Sequence, residues 1–248
     1  MGGLTVTTSW DDGHRLDAAL ADRLREHRLP GTFYVAPHNR ELARDDRLPA
    51  GDLRDLAADF EIGSHTVTHP VLTRLPDAQA ESEIVESRRL LADLLGSSVD
   101  TFCYPRGAFT STHVRMVERA GYRYARTVRG LATGIADPLR APTTIETGRF
   151  ALLRTPVELA NAARLTGSWS LVGSGRWDDI AIAVFDRCLV TGGVFHLWGH
   201  SWVLERRGEW NRLDRVLSHI AARPGVRYVA NGELGRQPGG PGMPGDAT

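Results

Sequence analysis

The chain has 248 residues, of which 42% are hydrophobic and 24% charged, and its 30 basic and 30 acidic side chains cancel to a formal net charge of zero. This is the composition of a folded domain with a sizeable core, long enough for a single α/β barrel. It offers no basic footprint for nucleic acid and no strong pull toward an anionic membrane. No apolar run approaches the roughly 20 residues of a membrane span. The N-terminal stretch MGGLTVTTSWDDG lacks the basic-then-apolar pattern of a secretory signal, so the cytoplasm is the expected compartment. Cys103 and Cys188 are the only cysteines, and two buried thiols are expected rather than a disulfide.

Leu4 to Trp10 alternates and is rich in β-branched residues, which predicts a strand ending at Asp11-Asp12, with Gly13 as a turn residue. Leu20 and Leu24 give Asp17 to His27 helical spacing, and Pro30-Gly31 stops it. A strand over Thr32 to Ala36 follows, then a short helix over Leu53 to Ala58 and a short strand at Phe60 to Ile62. Asp77 to Leu95 is the clearest helix, opened by Pro76, acidic in its early turns and ended by Gly96. Val99 to Cys103 reads as a strand, Thr112 to Ala120 as a helix and Tyr122 to Thr127 as a strand. Val128 to Thr147 reads as loop with short strands. Helices are expected over Pro156 to Leu165, Trp177 to Leu189 and Trp210 to Ala222, with strands at Gly193 to Trp198 and Val226 to Val229. A domain spanning 1–236 is then followed by a Gly/Pro-rich tail, 237–248, expected to be disordered. Strands alternating with helices predict a parallel sheet, closed or nearly closed, with its chemistry at the C-terminal strand ends.

Four polar clusters fall at such ends. Asp11 and Asp12 are adjacent carboxylates that repel each other and are costly to bury without a partner; a cation resolves that cost, although Asp-Asp-Gly is also good turn chemistry. His65 and His69 stand four residues apart, where two imidazoles can share a metal. Thr66-Val67-Thr68 and Pro70 disfavour a long helix there, so a tight turn or a single helical turn is expected. Two imidazoles and one carboxylate leave coordination positions open, the pattern of a catalytic metal. His196, Trp198 and His200 alternate onto one face of a strand. His200, past the strand end, suits a general acid; His196, inside the strand, suits the core or a supporting role. Arg106, in Cys103-Tyr104-Pro105-Arg106-Gly107, sits where backbone N–H groups near Gly107 would face a substrate.

In this order the pieces resemble the polysaccharide deacetylases of the NodB-homology type, the family 4 carbohydrate esterases. The family's T-F-D-D-G stands here as SWDDG at Ser9 to Gly13, and its H-[ST]-x-x-H as His65 to His69. The resemblance implies a distorted, seven-stranded (β/α) barrel. It further implies a metal triad of Asp12, His65 and His69 holding a divalent ion (zinc first, cobalt or another as alternatives), with Asp11 as base and His200 as acid. The implied activity is removal of an N-acetyl group from a carbohydrate or glycoside, with Tyr104, Arg106, Gly107, Trp198 and His196 as substrate contacts. No nucleic-acid partner and no membrane span are expected, and the oligomeric state is left open.

Two departures stand out. The family's third motif, R-x-P-[YF]-G-like, appears as Cys103-Tyr104-Pro105-Arg106-Gly107, so Cys103 takes the place of the arginine that tethers the base and Arg106 that of the aromatic residue. The Asp-Trp pair that supports the arginine is not visible after Tyr124. Hydrolysis of a different amide, as in the allantoinase-like branch, and a non-catalytic carbohydrate-binding barrel are the alternatives.

Overall fold

Residues 3–148 and 156–235 are described by the computed structural model. Its eight strands are β1 (Leu4–Asp12), β2 (Thr32–Val35), β3 (Glu61–Ser64), β4 (Thr101–Cys103), β5 (Tyr124–Arg126), β6 (Ile145–Glu146), β7 (Gly193–Gly199) and β8 (Arg227–Tyr228). Seven lie in the order β5-β4-β3-β2-β1-β7-β6, and every pair is parallel. The longest strand, β1, runs through the middle. One edge pairs with β7 from Leu4 to Trp10; the other is shared, with β8 against Thr5-Val6 and β2 against Ser9 to Asp12. The sheet curls so that β5 and β6 approach. The segment between them fills the gap: Ala141 bridges to β5, while the Thr144 N–H donates to the His196 carbonyl of β7. The result is the expected distorted barrel of parallel strands.

Because helices cover a parallel sheet, polar groups inside it need partners. The run Thr7-Thr8-Ser9 of β1 is fully buried, and each hydroxyl is engaged: Thr7 with Asn231 Oδ1, Thr8 with the Pro30 carbonyl, Ser9 with His196 Nε2. Around them pack Trp10, Phe33, Phe102, Phe195 and Leu197, and on the outside the helix Trp177–Thr191 sets Phe185 edge-on against Phe195 at 5.4 Å.

The helix Asp77–Leu95 has the predicted bounds. Three short helices, Trp169–Ser174, Ser201–Arg207 and Asn231–Leu234, were not signalled by periodicity, since four to seven residues are too few to display it. β1 extends two residues beyond its predicted end, so both carboxylates belong to the strand rather than to the turn after it. Gly13 then turns the chain at φ +68, where a Cβ would meet Val35 Cγ1 at 2.8 Å. Cys103 and Cys188 are buried and unpaired. Among the described residues no helix is long and apolar enough to cross a membrane. The expected tail, 237–248, lies outside the described residues.

Candidate active site

The C-terminal ends of β1, β3, β4 and β7 meet around a cavity of about 450 Å³ whose lining includes Asp11, Asp12, His65, His69, Trp198 and His200. Asp12, His65 and His69 bring one ligand atom each within 4.8 Å of one another, and all three are buried. Asp12 Oδ1 lies 3.3 Å from His69 Nε2 and 3.8 Å from His65 Nε2, and the two Nε2 atoms are 3.2 Å apart. His65 Nδ1 is 2.7 Å from the Cys103 carbonyl, which can only accept, so that nitrogen carries the hydrogen and the Nε2 lone pair faces inward. Burial and the neighbouring His69 push the His65 pKa down to about 4, keeping the ring neutral, as a ligand must be. Asp12 Oδ2 accepts from Trp202 Nε1 at 2.9 Å, while Oδ1 is buried with no hydrogen-bond partner among the described residues. An unpartnered carboxylate oxygen against two inward-facing imidazole nitrogens is a donor set that fits a divalent ion such as zinc.

Sequence reasoning missed the residues that hold this cluster. The histidine segment is a tight turn, as expected, but Thr66 and His69 both adopt left-handed backbone, φ 67 and φ 62. For a β-branched threonine this is strained and must be imposed by its surroundings. Glu83, from the helix Asp77–Leu95, imposes it: its carboxylate accepts from the N–H groups of Val67 and Thr68 and from the Thr68 hydroxyl, at 2.6 to 2.9 Å. The loop after β2 clamps the other side, with His38 and Arg40 N–H donating to the Val67 and Thr68 carbonyls. That loop also brings Glu41 Oε2 within 3.2 Å of His69 Nδ1. Glu41 in turn is gripped by Arg106 through Nη2 at 2.7 Å and Nε at 3.2 Å. The arginine in place of the expected aromatic residue therefore fixes the carboxylate beside a candidate ligand.

Asp11 has a different environment. It is 2% exposed and both its oxygens accept from Arg126, the last residue of β5. Burial alone would raise its pKa; Arg126 first, then His65 and His200, outweigh that and hold it below the usual carboxylate range. The missing tether is thus supplied one strand over. Cys103 and Arg126 are register partners across the β4–β5 ladder, and neighbouring positions in a parallel ladder project to the same face. The Cys103 thiol, its pKa pushed well up by burial, stays protonated 3.8 Å from Asp11 Oδ2. Arg126 is fully buried and its guanidinium lies 4.3 Å from the centre of the Trp198 ring, a cation–π contact that replaces the expected Asp-Trp support. The available signal was Arg126 itself: an arginine in a short buried strand requires a buried carboxylate.

His200 follows Gly199, whose Cβ, if present, would fall 1.9 Å from Thr147 Oγ1; only glycine lets β7 pass there. The imidazole stands between the Trp198 and Trp202 rings, 5.7 Å from each, with Nε2 3.8 Å from Asp12 Oδ2. Three residues anticipated as substrate contacts lie outside the cavity lining. His196 is buried away from the cavity, its pKa is pushed down to about 3 by burial and by Arg126, and its Nε2 meets Ser9. Tyr104 is core, its hydroxyl donating to Leu139 and its ring stacked on Phe109 at 4.2 Å. Gly107 is not in the lining, and the N–H groups of Tyr104, Gly107 and Ala108 are turned inward to the carbonyls of Arg126, Tyr104 and Pro105. Arg106 and Trp198 do line the cavity.

The family model for polysaccharide deacetylase matches residues 2–125, half of the chain. The chain belongs to the polysaccharide deacetylase family. Among curated members of that family it is similar to chitin deacetylase 1 of Cryptococcus neoformans var. grubii, with 31% identity over 100 residues, 40% of this chain and 20% of that one. It is also similar to the chitooligosaccharide deacetylase of Bradyrhizobium sp., with 30% identity over 96 residues, 36% of this chain and 40% of that one. It therefore spans well under half the length of these curated relatives. Two solved structures share the fold along almost the whole chain. A candidate polysaccharide deacetylase of Mycobacterium smegmatis gives a TM-score of 0.66 at 14% identity, covering 95% of this chain and 90% of that one. The polysaccharide deacetylase Bc1974 of Bacillus cereus gives 0.58 at 17%, covering 92% and 91%. The family match ends at Ala125, one residue before the arginine that holds Asp11.

Proposed function

We propose that the protein is a metal-dependent hydrolase that removes the acetyl group from an N-acetylated sugar. The observation that carries this is Asp12 Oδ1, buried without a hydrogen-bond partner and facing His65 and His69 Nε2. The relatives' names, chitin and chitooligosaccharide deacetylase, support an N-acetyl sugar as substrate class.

A divalent ion, zinc or cobalt, bound by Asp12, His65 and His69 would polarise the acetyl carbonyl and lower the pKa of water. The remaining roles fall to the chain. Asp11, ionised and oriented by Arg126, accepts a proton from the attacking water. Trp202 holds Asp12 Oδ2, so that ligand cannot rotate away. His200, walled by two indoles and 17% exposed at its side chain, donates a proton to the departing sugar nitrogen, splitting the amide into acetate and amine.

The test is acetate release by the purified chain. Protein stripped with chelator and reloaded with zinc or cobalt should release acetate from N-acetylated sugars, and both Asp11→Asn and His200→Ala should reduce that release by about 10²-fold or more. Failure of the loaded protein to release acetate from a broad panel of N-acetylated glycans and glycosides would overturn the proposal.

A further inference from the structure

Three arginines line the cavity: Arg106, Arg206 and Arg207. Arg106 is neutralised by its two-point pair with Glu41. Arg206 and Arg207, both exposed, end the helix Ser201–Arg207 that directly follows His200, and among the described residues neither forms an ion pair. Arg206 stacks its guanidinium on the Trp202 ring, 5.1 Å from the centre. Since the Trp202 N–H is bonded to Asp12, this cation sits one indole away from the candidate metal cluster. Arg207 gives one N–H to the Gly148 carbonyl, a neutral partner that leaves its charge uncompensated. Trp198, in the same lining and 3% exposed, has its Nε1–H buried without an acceptor among the described residues.

The cavity acids are already accounted for. Asp11 is paired with Arg126, Asp12 belongs to the ligand cluster, Glu41 is paired with Arg106, and Glu146 has an interaction of its own. What remains in the described wall is positive charge without a protein counter-charge, on two exposed arginines, and one buried donor, Trp198 Nε1–H. Guanidinium groups recognise carboxylate and phosphate by two-point hydrogen bonding, and stacking on an aromatic ring keeps such a group in one orientation.

We infer that Arg206 and Arg207 form an anion subsite, and that the sugar this site accepts carries a carboxylate or phosphate substituent beside its N-acetyl group. The inference rests on the proposed deacetylation for its use in turnover, but binding tests it without turnover. Two measurements on the metal-loaded full chain separate the cases. The first compares kcat/KM for acetate release from a neutral N-acetylhexosamine oligomer with that from the same sugar bearing a carboxylate-ended ether or a phosphate ester. The second measures, by calorimetry, binding of the corresponding deacetylated products. The anionic sugars should be preferred about tenfold or more, as charge-assisted hydrogen bonds contribute when a guanidinium is freed from water by its ligand. The preference should shrink with added salt and fall toward parity in the double variant Arg206→Gln/Arg207→Gln. The carboxylate and phosphate arms show which anion is read. Equal binding of neutral and anionic sugars by the unaltered chain, or a preference that survives in the double variant, overturns the subsite. No acetate from any sugar, together with anion-selective binding that is lost in the double variant, keeps the subsite and overturns the deacetylase proposal.

Discussion

Asp11 and Asp12 are neighbours in sequence with the same side chain, yet their surroundings are opposite. Asp11 has its counter-charge built in: both oxygens are held by a buried arginine and nothing about it is unmatched. Asp12 receives an indole N–H on one oxygen and leaves the other buried and unmet beside two imidazoles. The first arrangement suits a group that must stay ionised and aimed; the second suits a group awaiting a cation. Asp12 leaves the extended conformation at φ 85, so both carboxylates reach the same cavity while meeting different neighbours, and a single strand end provides both environments.

Four experiments test this division. Asp12→Asn should weaken zinc binding about 100-fold or more, because the ligand cluster loses its only charge, whereas Asp11→Asn should change it far less; competition with a chromogenic chelator measures both. Equal losses in the two variants would erase the distinction. Arg126→Ala should leave Asp11 as an uncompensated buried charge and destabilise the fold by about 3–5 kcal/mol in urea, with Arg126→Ala/Asp11→Asn recovering much of that loss. A silent Arg126→Ala would remove the arginine from the account.

Glu41→Gln should weaken zinc binding about 10-fold while leaving the fold intact, since a carboxylate beside a ligating imidazole orients it and raises its basicity. Unchanged affinity would leave Glu41 merely adjacent to His69. The smallest effect expected is a dependence on pH. With His196 depressed from 6.5 to about 3 in the fold, the unfolded chain takes up a proton that the folded chain refuses. Stability from this group is therefore complete above pH 6.5 and lost as pH falls toward 3, at about 1.4 kcal/mol per pH unit. His196→Gln should flatten the urea-midpoint profile over that window; an unchanged slope would mean that His196 is not held neutral.

Much of this was legible in the sequence because it depends on local pattern. The strand before the acidic pair, the long helix Asp77–Leu95 and the histidine pair are encoded in spacing within a few residues, and the barrel follows from their alternation. What was not legible is what reaches across the chain. Arg126 meets Asp11 across 115 positions, Trp202 meets Asp12 across 190, and Glu83 and Glu41 act on the histidine turn from a helix and a loop with no motif of their own. Tyr104 and His196 are near the site in sequence yet buried outside the cavity lining, as a place inside the strand alone suggests for His196.

The in-register placement of Cys103 and Arg126 means that the two positions share one space in front of Asp11. A second guanidinium at position 103 would crowd and repel the first before a single carboxylate. A thiol is small and uncharged at that depth, and it leaves the room that the arginine fills. The site is thus organised around where one positive charge stands in space, and either of two adjacent strands has the geometry to supply it.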